Sequence, residues 1–113
     1  MANNFVNKKV DLTTTDATTL YTVPDATTAI VKSILVSDDS GSGSTITITV
    51  TTPLEAVFSV AYLKTISANT PTEIITNPLI VETGEIVKVT AANANRLHVI
   101  LSAMEVTPRT VTT

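Results

Sequence analysis

The stretch Ser44-Thr45-Ile46-Thr47-Ile48-Thr49-Val50-Thr51-Thr52 decides the fold class. Isoleucine and valine alternate with threonine along it, which is the period of a β-strand with one face buried and the other in solvent. From its second residue onward every side chain is β-branched. Such side chains lose rotamer freedom in a helix but pack well on a pleated sheet. The stretch therefore predicts a strand that covers a core with one face.

The rest of the chain shares this compositional bias. Of its 113 residues, 23 are threonine, 14 are valine and 10 are isoleucine, so 47 are β-branched. Charged residues make up 15% of the chain, whereas about a quarter is typical of globular proteins. The composition predicts an all-β protein. So few charges among so many aliphatic side chains also favour a surface that is partly covered by a partner.

Segments with strand character follow one another along the chain, separated by turn signals that are rich in Gly, Pro, Asn and Asp. They lie at 10–12, 20–23, 29–37, 44–52, 56–63, 73–76, 79–82, 86–91 and 97–106. About eight short strands at this spacing predict a single antiparallel β-sandwich or jelly-roll-like domain. At 113 residues the chain is long enough to bury a core without disulfides or zinc.

The segments 29–37 and 44–52 are expected to form a β-hairpin. The loop between them is the candidate exposed loop of the protein, and its residues are Asp38, Asp39, Ser40, Gly41 and Gly43. A calcium site is a weaker interpretation of this loop, because calcium takes six to eight oxygen ligands and no later glutamate is suitably spaced. The sequence favours a solvated loop whose aspartates discourage aggregation.

Two short terminal segments flank the predicted domain. We expect an N-terminal arm over residues 1–9, the β-sandwich domain over 10–106 and a C-terminal tail over 107–113. Phe5 and Val6 form an apolar pair in the otherwise polar arm. They are the candidate docking arm, because an apolar pair in a polar tail suits insertion into a neighbouring surface.

Residues suited to catalysis or to metal and cofactor binding are scarce. The chain has no cysteine, which excludes a thiolate nucleophile and thiolate metal ligands, and its three glycines do not form a phosphate-binding loop. His98 is the one histidine; it lies within an apolar strand, and no spacing indicates a carboxylate partner for it. We therefore expect no enzymatic activity, no catalytic residues, no cofactor and no metal site.

Nucleic acid and membrane are not expected as partners. The net charge of −3 argues against a basic nucleic-acid surface, and no apolar run reaches the length of a membrane span. A carbohydrate site would need exposed aromatic side chains, and Tyr21 or Tyr62 would have to provide them. Phe58 and Tyr62 share a face of their predicted strand, so core packing is the favoured role for both.

Several stretches together resemble small virion proteins of tailed bacteriophages. The resemblance begins with the threonine-rich opening that ends in Leu-Tyr-Thr-Val-Pro at residues 10–24, and it continues through the strand 29–36 and the alternating strand 45–50. It ends with the Pro-Leu-x-x-Glu-x-Gly-Glu turn at 78–85 and the closing strand 95–106. The similarity spans residues 10–106, and the two terminal segments lie outside it.

This resemblance implies a non-enzymatic β-sandwich structural protein that is assembled into a virion in the host cytoplasm. Its leading implication is a capsid cement or decoration protein that bridges neighbouring capsomers as a symmetric homo-oligomer, with a trimer favoured. A neck, tail or baseplate accessory that anchors a fibre is the alternative, and its partners would be neck or tail proteins rather than the major capsid protein. A small carbohydrate-binding module for the host surface is the third possibility.

Overall fold

The computed structural model describes residues 2–107, which form nine β-strands and no helix. In chain order these are β1 (Ala2–Asp11), β2 (Thr18–Thr22), β3 (Thr28–Asp38), β4 (Ser44–Thr51), β5 (Val57–Ile66), β6 (Pro71–Glu73), β7 (Leu79–Val81), β8 (Ile86–Ala91) and β9 (Leu97–Thr107). The predicted all-β class is confirmed. Each strand overlaps a segment predicted from the sequence, although β1 is much longer than expected.

The strands form two antiparallel sheets. Sheet A has the order β1-β9-β3-β6, with β7 also pairing with β3, and sheet B has the order β2-β8-β4-β5. Strands β6 and β7 pair with different stretches of the same side of β3 and together form one edge of sheet A. The two sheets lie in matching order, since β1 contacts β2 and β3 contacts β5. Strands β5, β6 and β7 therefore share one side of the molecule.

The apolar faces of the two sheets enclose one core, so the arrangement is that of a β-sandwich. The alternation seen in β4 is confirmed, because Ile46 and Ile48 are fully buried and Val50 nearly so. In sheet A the same period buries four residues of β9, namely Leu97, Val99, Leu101 and Ala103. Burial of this kind stabilises by roughly 1.5–3 kcal/mol per large aliphatic side chain.

A hydrogen bond near the β1–β2 side links the sheets. The hydroxyl of Tyr21 in β2 donates to Glu105 Oε2 in β9 at 2.5 Å. Burial of the ring, together with the hydrogen bond and the negative charge of Glu105, raises the pKa of Tyr21 well above its usual value. Tyr21 therefore stays protonated and serves as a buried cross-sheet donor.

The expected hairpin between 29–37 and 44–52 is wrong. Strand β3 lies in sheet A and β4 in sheet B, so the loop between them crosses from one sheet to the other. The neighbours of β4 are β8 and β5, and the hairpin that β4 forms is with β5. The alternation of apolar and polar residues shows which face of a strand is buried. The same alternation occurs whether two consecutive strands pair as a hairpin or lie in different sheets, so it does not identify a hairpin.

The expected boundary between an arm and the domain does not coincide with an end of any strand. Residues 2–9 belong to β1, which pairs with β9 from Ala2 opposite Thr107 to Asp11 opposite His98. The polar composition of β1 reflects its position at an edge, where one side of the strand has no neighbour in the sheet. Residues 108–113 of the predicted C-terminal tail lie outside the described residues.

Candidate interaction surfaces

The β3–β4 loop is organised around a buried carboxylate rather than being solvated throughout. Asp38 is only 3% exposed, and Gly43 is also buried, whereas Asp39, Ser40 and Gly41 are exposed as expected. The expectation of an exposed Asp38 is therefore wrong. Asp38 continues the alternation that buries Ile34 and Val36. That alternation was the signal in the sequence for the burial of Asp38.

Four donors satisfy the Asp38 carboxylate. Its Oδ1 accepts from the backbone N–H and the hydroxyl of Ser40 at 2.9 and 2.6 Å, and its Oδ2 accepts from Gly43 N–H at 2.8 Å and Asn69 N–H at 3.3 Å. The Ser40 hydroxyl, with the three N–H groups, lowers the pKa of Asp38 to about 2 despite its burial. This carboxylate therefore fixes the loop and ties it to the β5–β6 connection.

Gly43 is required at its position in this loop. Its φ is +71°, and a Cβ there would lie 3.0 Å from the carbonyl oxygen of Ile66. A side chain at residue 43 would push the loop away from β5. The loop is thus a structural clamp between the sheets.

His98 has carboxylate neighbours that the sequence spacing did not reveal. Its Nε2 lies 3.2 Å from Asp11 Oδ1, and its Nδ1 lies 3.6 Å from Asp39 Oδ2. Asp11 is the cross-strand partner of His98, so knowledge of the β1–β9 pairing would have predicted the first contact. All three side chains are 41–63% exposed, and the two carboxylates lie on opposite sides of the ring. The arrangement is that of a surface ion pair, formed when the imidazole is protonated.

Phe5 and Val6 have different environments in β1. Val6 packs against the core, whereas Phe5 is 78% exposed on the opposite face of the strand. The pair therefore does not act as one exposed anchor. Only Phe5 is available to a partner.

Phe5 is the first member of an apolar row that crosses the outer face of sheet A. It lies opposite Met104 in β9, Met104 lies opposite Ile30 in β3, and Ile30 lies opposite Ile80 in β7. Met104 and Ile30 are partly buried, and Ile80 is 55% exposed. Four strands thus contribute one apolar side chain each to a continuous row on a face that is open to solvent.

A second apolar surface lies along β5 and the turn before it. Five large apolar side chains are more than half exposed there: Leu54, Val57, Phe58, Tyr62 and Leu63. We call these five residues the apolar edge. The expectation that Phe58 and Tyr62 pack in the core is wrong, because they are 62% and 73% exposed. A monomeric soluble protein rarely leaves such a cluster uncovered.

Two irregularities lie in β5 beside these side chains. The register of β5 against β4 shifts between Ile46 and Ile48 and again between Ile48 and Thr49, each time with an additional residue in β5. Bulges of this kind twist an edge strand and redirect its side chains. At the first of them Leu63 has a φ of +49° and donates its N–H to Thr47 Oγ1 at 3.1 Å. Simple alternation of Phe58, Val60 and Tyr62 on one face therefore does not hold.

Among residues 2–107 there is no group of three or more histidine, aspartate or glutamate side chains placed to hold a metal ion. Over the same residues the structure has no helix long and apolar enough to cross a bilayer.

Comparisons with known proteins give a likeness among solved structures but no family. No protein-family model matches the sequence, and no curated protein is significantly similar to it. Among solved structures, the chain is similar to a chain of the cyanophage Pam1 capsid asymmetric unit, with a TM-score of 0.48 and 20% sequence identity over 94% of this chain and 85% of that chain.

Proposed function

We propose that the protein is a non-enzymatic structural component of a bacteriophage virion, and that it is a capsid cement or decoration protein. Its partners would be the major capsid protein and further copies of itself. As a cement protein it would bind only the assembled shell and would stabilise that shell by mass action. Many copies, each bound weakly, would then hold the shell with high avidity.

The observation that carries this proposal is the amount of apolar surface exposed on a small β-sandwich. The row that begins at Phe5 lies on the outer face of sheet A, and the apolar edge lies along β5 of sheet B. One copy therefore has two apolar surfaces with which to contact two neighbours. Bridging of neighbouring subunits requires such a pair of surfaces. The resemblance of residues 10–106 to small virion proteins supports the same role.

The strand order supports a more specific assignment of the fold. A jelly roll is formed by two four-stranded sheets in which the first strand pairs with the last and the chain alternates between sheets. Here β1 pairs with β9, and β1 to β4 lie alternately in sheets A and B. We therefore propose a jelly roll in which β6 and β7 together take the place of one strand.

Copy number per particle tests the place in the virion. Purified particles would be analysed by quantitative mass spectrometry for the ratio of this chain to the major capsid protein. A cement protein is expected at a ratio near one. A ratio of a few per hundred would overturn the cement role and would favour the alternative, a neck, tail or baseplate accessory that anchors a fibre. Absence from purified particles would overturn the virion role altogether.

A specific observation keeps the carbohydrate-binding alternative as a second candidate. Tyr62 and Phe58 are exposed aromatic side chains on β5, whereas Tyr21 is buried. Glycan-array binding that is lost in Tyr62→Ala, by a protein absent from particles, would favour this function.

A further inference from the structure

The apolar edge carries charge only near its two ends. Between Leu54 and Ile66 the charged residues are Glu55 and Lys64. Both side chains are exposed, and neither has a hydrogen-bond or ion-pair partner within residues 2–107. The edge thus has a negative end, an apolar middle with two aromatic rings, and a positive end.

This pattern is complementary to itself. In a two-fold contact the same surface is used by both subunits, so the start of one edge faces the end of the other. Aligning Glu55 with Lys64 of a second copy forms two equivalent ion pairs. The same alignment brings the apolar side chains between the two charges of one copy against those of the second copy.

From this complementarity we propose that the apolar edge is a two-fold self-association surface, and that its occupant is the apolar edge of a second copy. The proposal rests on the oligomeric part of the proposed function and not on a place in a virion. It favours a dimer contact, in contrast to the trimer that the resemblance implies.

The available area fits such a contact. The five side chains of the apolar edge each offer on the order of 100 Å² of apolar surface, about 500 Å² in all. Two copies together would bury about 1,000 Å² from these side chains alone, which is the size at which specific interfaces begin. Aromatic residues at the centre and charges at the rim are also the composition of such interfaces.

The shape of β5 argues for side-chain contact rather than for strand addition. A partner strand would need an unbroken row of free N–H and C=O groups on β5. The two register shifts in β5 interrupt that row. The second copy is therefore held through the apolar side chains and the two end charges.

Charge reversal tests the proposal without touching the core. Sedimentation equilibrium of the purified full chain would measure the dimer dissociation constant for the wild type, Glu55→Lys, Lys64→Glu and the double variant. Each single reversal puts like charges opposite each other twice and is expected to weaken the dimer by about 10-fold or more. The double variant recreates both pairs with opposite sign and is expected to return within about 3-fold of the wild type.

Asp16→Lys is the matched control, because it makes the same charge change at an exposed residue of the β1–β2 loop. It is expected to leave the dissociation constant within about 2-fold of the wild type. A wild-type chain that stays monomeric, or a double variant no tighter than the single ones, would overturn the proposal. So would a dimer that is unaffected by either reversal.

The virion role is tested separately from self-association, by binding to particles. If Glu55→Lys remains bound to particles in full amount while the wild-type chain proves monomeric, the self-association surface is wrong and the virion role stands. If the dimer behaves as expected but the protein is absent from particles, the reverse holds.

Discussion

Strands β1 and β5 are edge strands of different sheets, and they differ in how they avoid pairing with other chains. An edge strand presents unpaired backbone groups to any other chain. Strand β1 pairs with β9 without a register shift and is therefore flat along its length, whereas β5 has two register shifts. The flat edge carries charge, including Lys8 and Lys9, while the irregular edge carries apolar side chains.

Lys8 shows how the flat edge is protected. It lies opposite the buried Leu101 and on the same face of β1 as Val6 and Val10, yet it is exposed. An inward-pointing charge on an edge strand discourages pairing with another chain, because that pairing would bury the charge. The comparison teaches that β1 is protected by side-chain charge and β5 by backbone shape. Strand β5 leaves four large apolar side chains exposed, whereas β1 leaves Phe5.

The largest effect is expected when the same substitution is made in the core and on the apolar edge. Leu101→Ala removes a fully buried side chain and is expected to cost about 2–5 kcal/mol of unfolding free energy. Leu54→Ala removes a side chain that is 92% exposed and is expected to cost less than about 0.5 kcal/mol. Urea denaturation of both variants at a concentration where the chain is monomeric measures the difference. Similar costs would mean that the apolar edge is part of the core.

An intermediate effect is expected at the clamp between β3 and the β5–β6 connection. Asp38→Asn replaces one acceptor oxygen with an amide that faces N–H donors, so the variant is expected to be less stable than the wild type at pH 7. Because the pKa of Asp38 is lowered from 3.8 to about 2, its ionised form stabilises the fold above about pH 4. That contribution disappears as the pH falls towards 2.

The difference between Asp38→Asn and the wild type should therefore shrink over that pH range. Urea denaturation at several pH values from 7 to 2 measures it. The matched control is Asp39→Asn, because Asp39 is the exposed neighbour and should show a small difference at every pH. A constant difference for Asp38→Asn would contradict the clamp.

The smallest effect concerns the flat edge. Lys8→Val gives β1 a continuous apolar face with Val6 and Val10 and removes the charge that opposes pairing. The variant is expected to associate at lower concentration than the wild type, as measured by light scattering, with little change in unfolding free energy. Lys88→Val is the control, because β8 lies inside sheet B between β2 and β4. Equal association of the two variants would show that the charge at residue 8 has no protective role.

The sequence predicted the strands and their buried faces better than it predicted which strands pair. The alternation of Ile46, Ile48 and Val50 with threonine predicted β4 and its buried face, since burial follows a period of two. The pairing of strands could not be predicted in this way, because alternation carries no information about neighbours. For that reason the β3–β4 connection was mistaken for a hairpin, and the pairing of residues 2–9 with β9 was not predicted.

The surfaces were harder to predict than the strands. Phe58 and Tyr62 were expected in the core because they share a face of their predicted strand, and the bulges in β5 have no marker in the sequence. The contact of His98 with Asp11 depends on the pairing of strands far apart in the chain. Asp38 differs, since its place in the period of Ile34 and Val36 was visible in the sequence, although it was assigned to the exposed loop.

The pairing of β1 with β9 also determines when sheet A can assemble. The two strands come from opposite ends of the described chain, and β9 is also the main neighbour of β3. On a ribosome, β4 can meet β5 and β3 can meet β6 and β7 soon after they are made, but β1 must wait for β9 to emerge. During synthesis the edge of β1 that pairs with β9 therefore remains open until β9 has been translated. In that interval, before β9 is available, the charge of Lys8 would discourage other chains from pairing with β1.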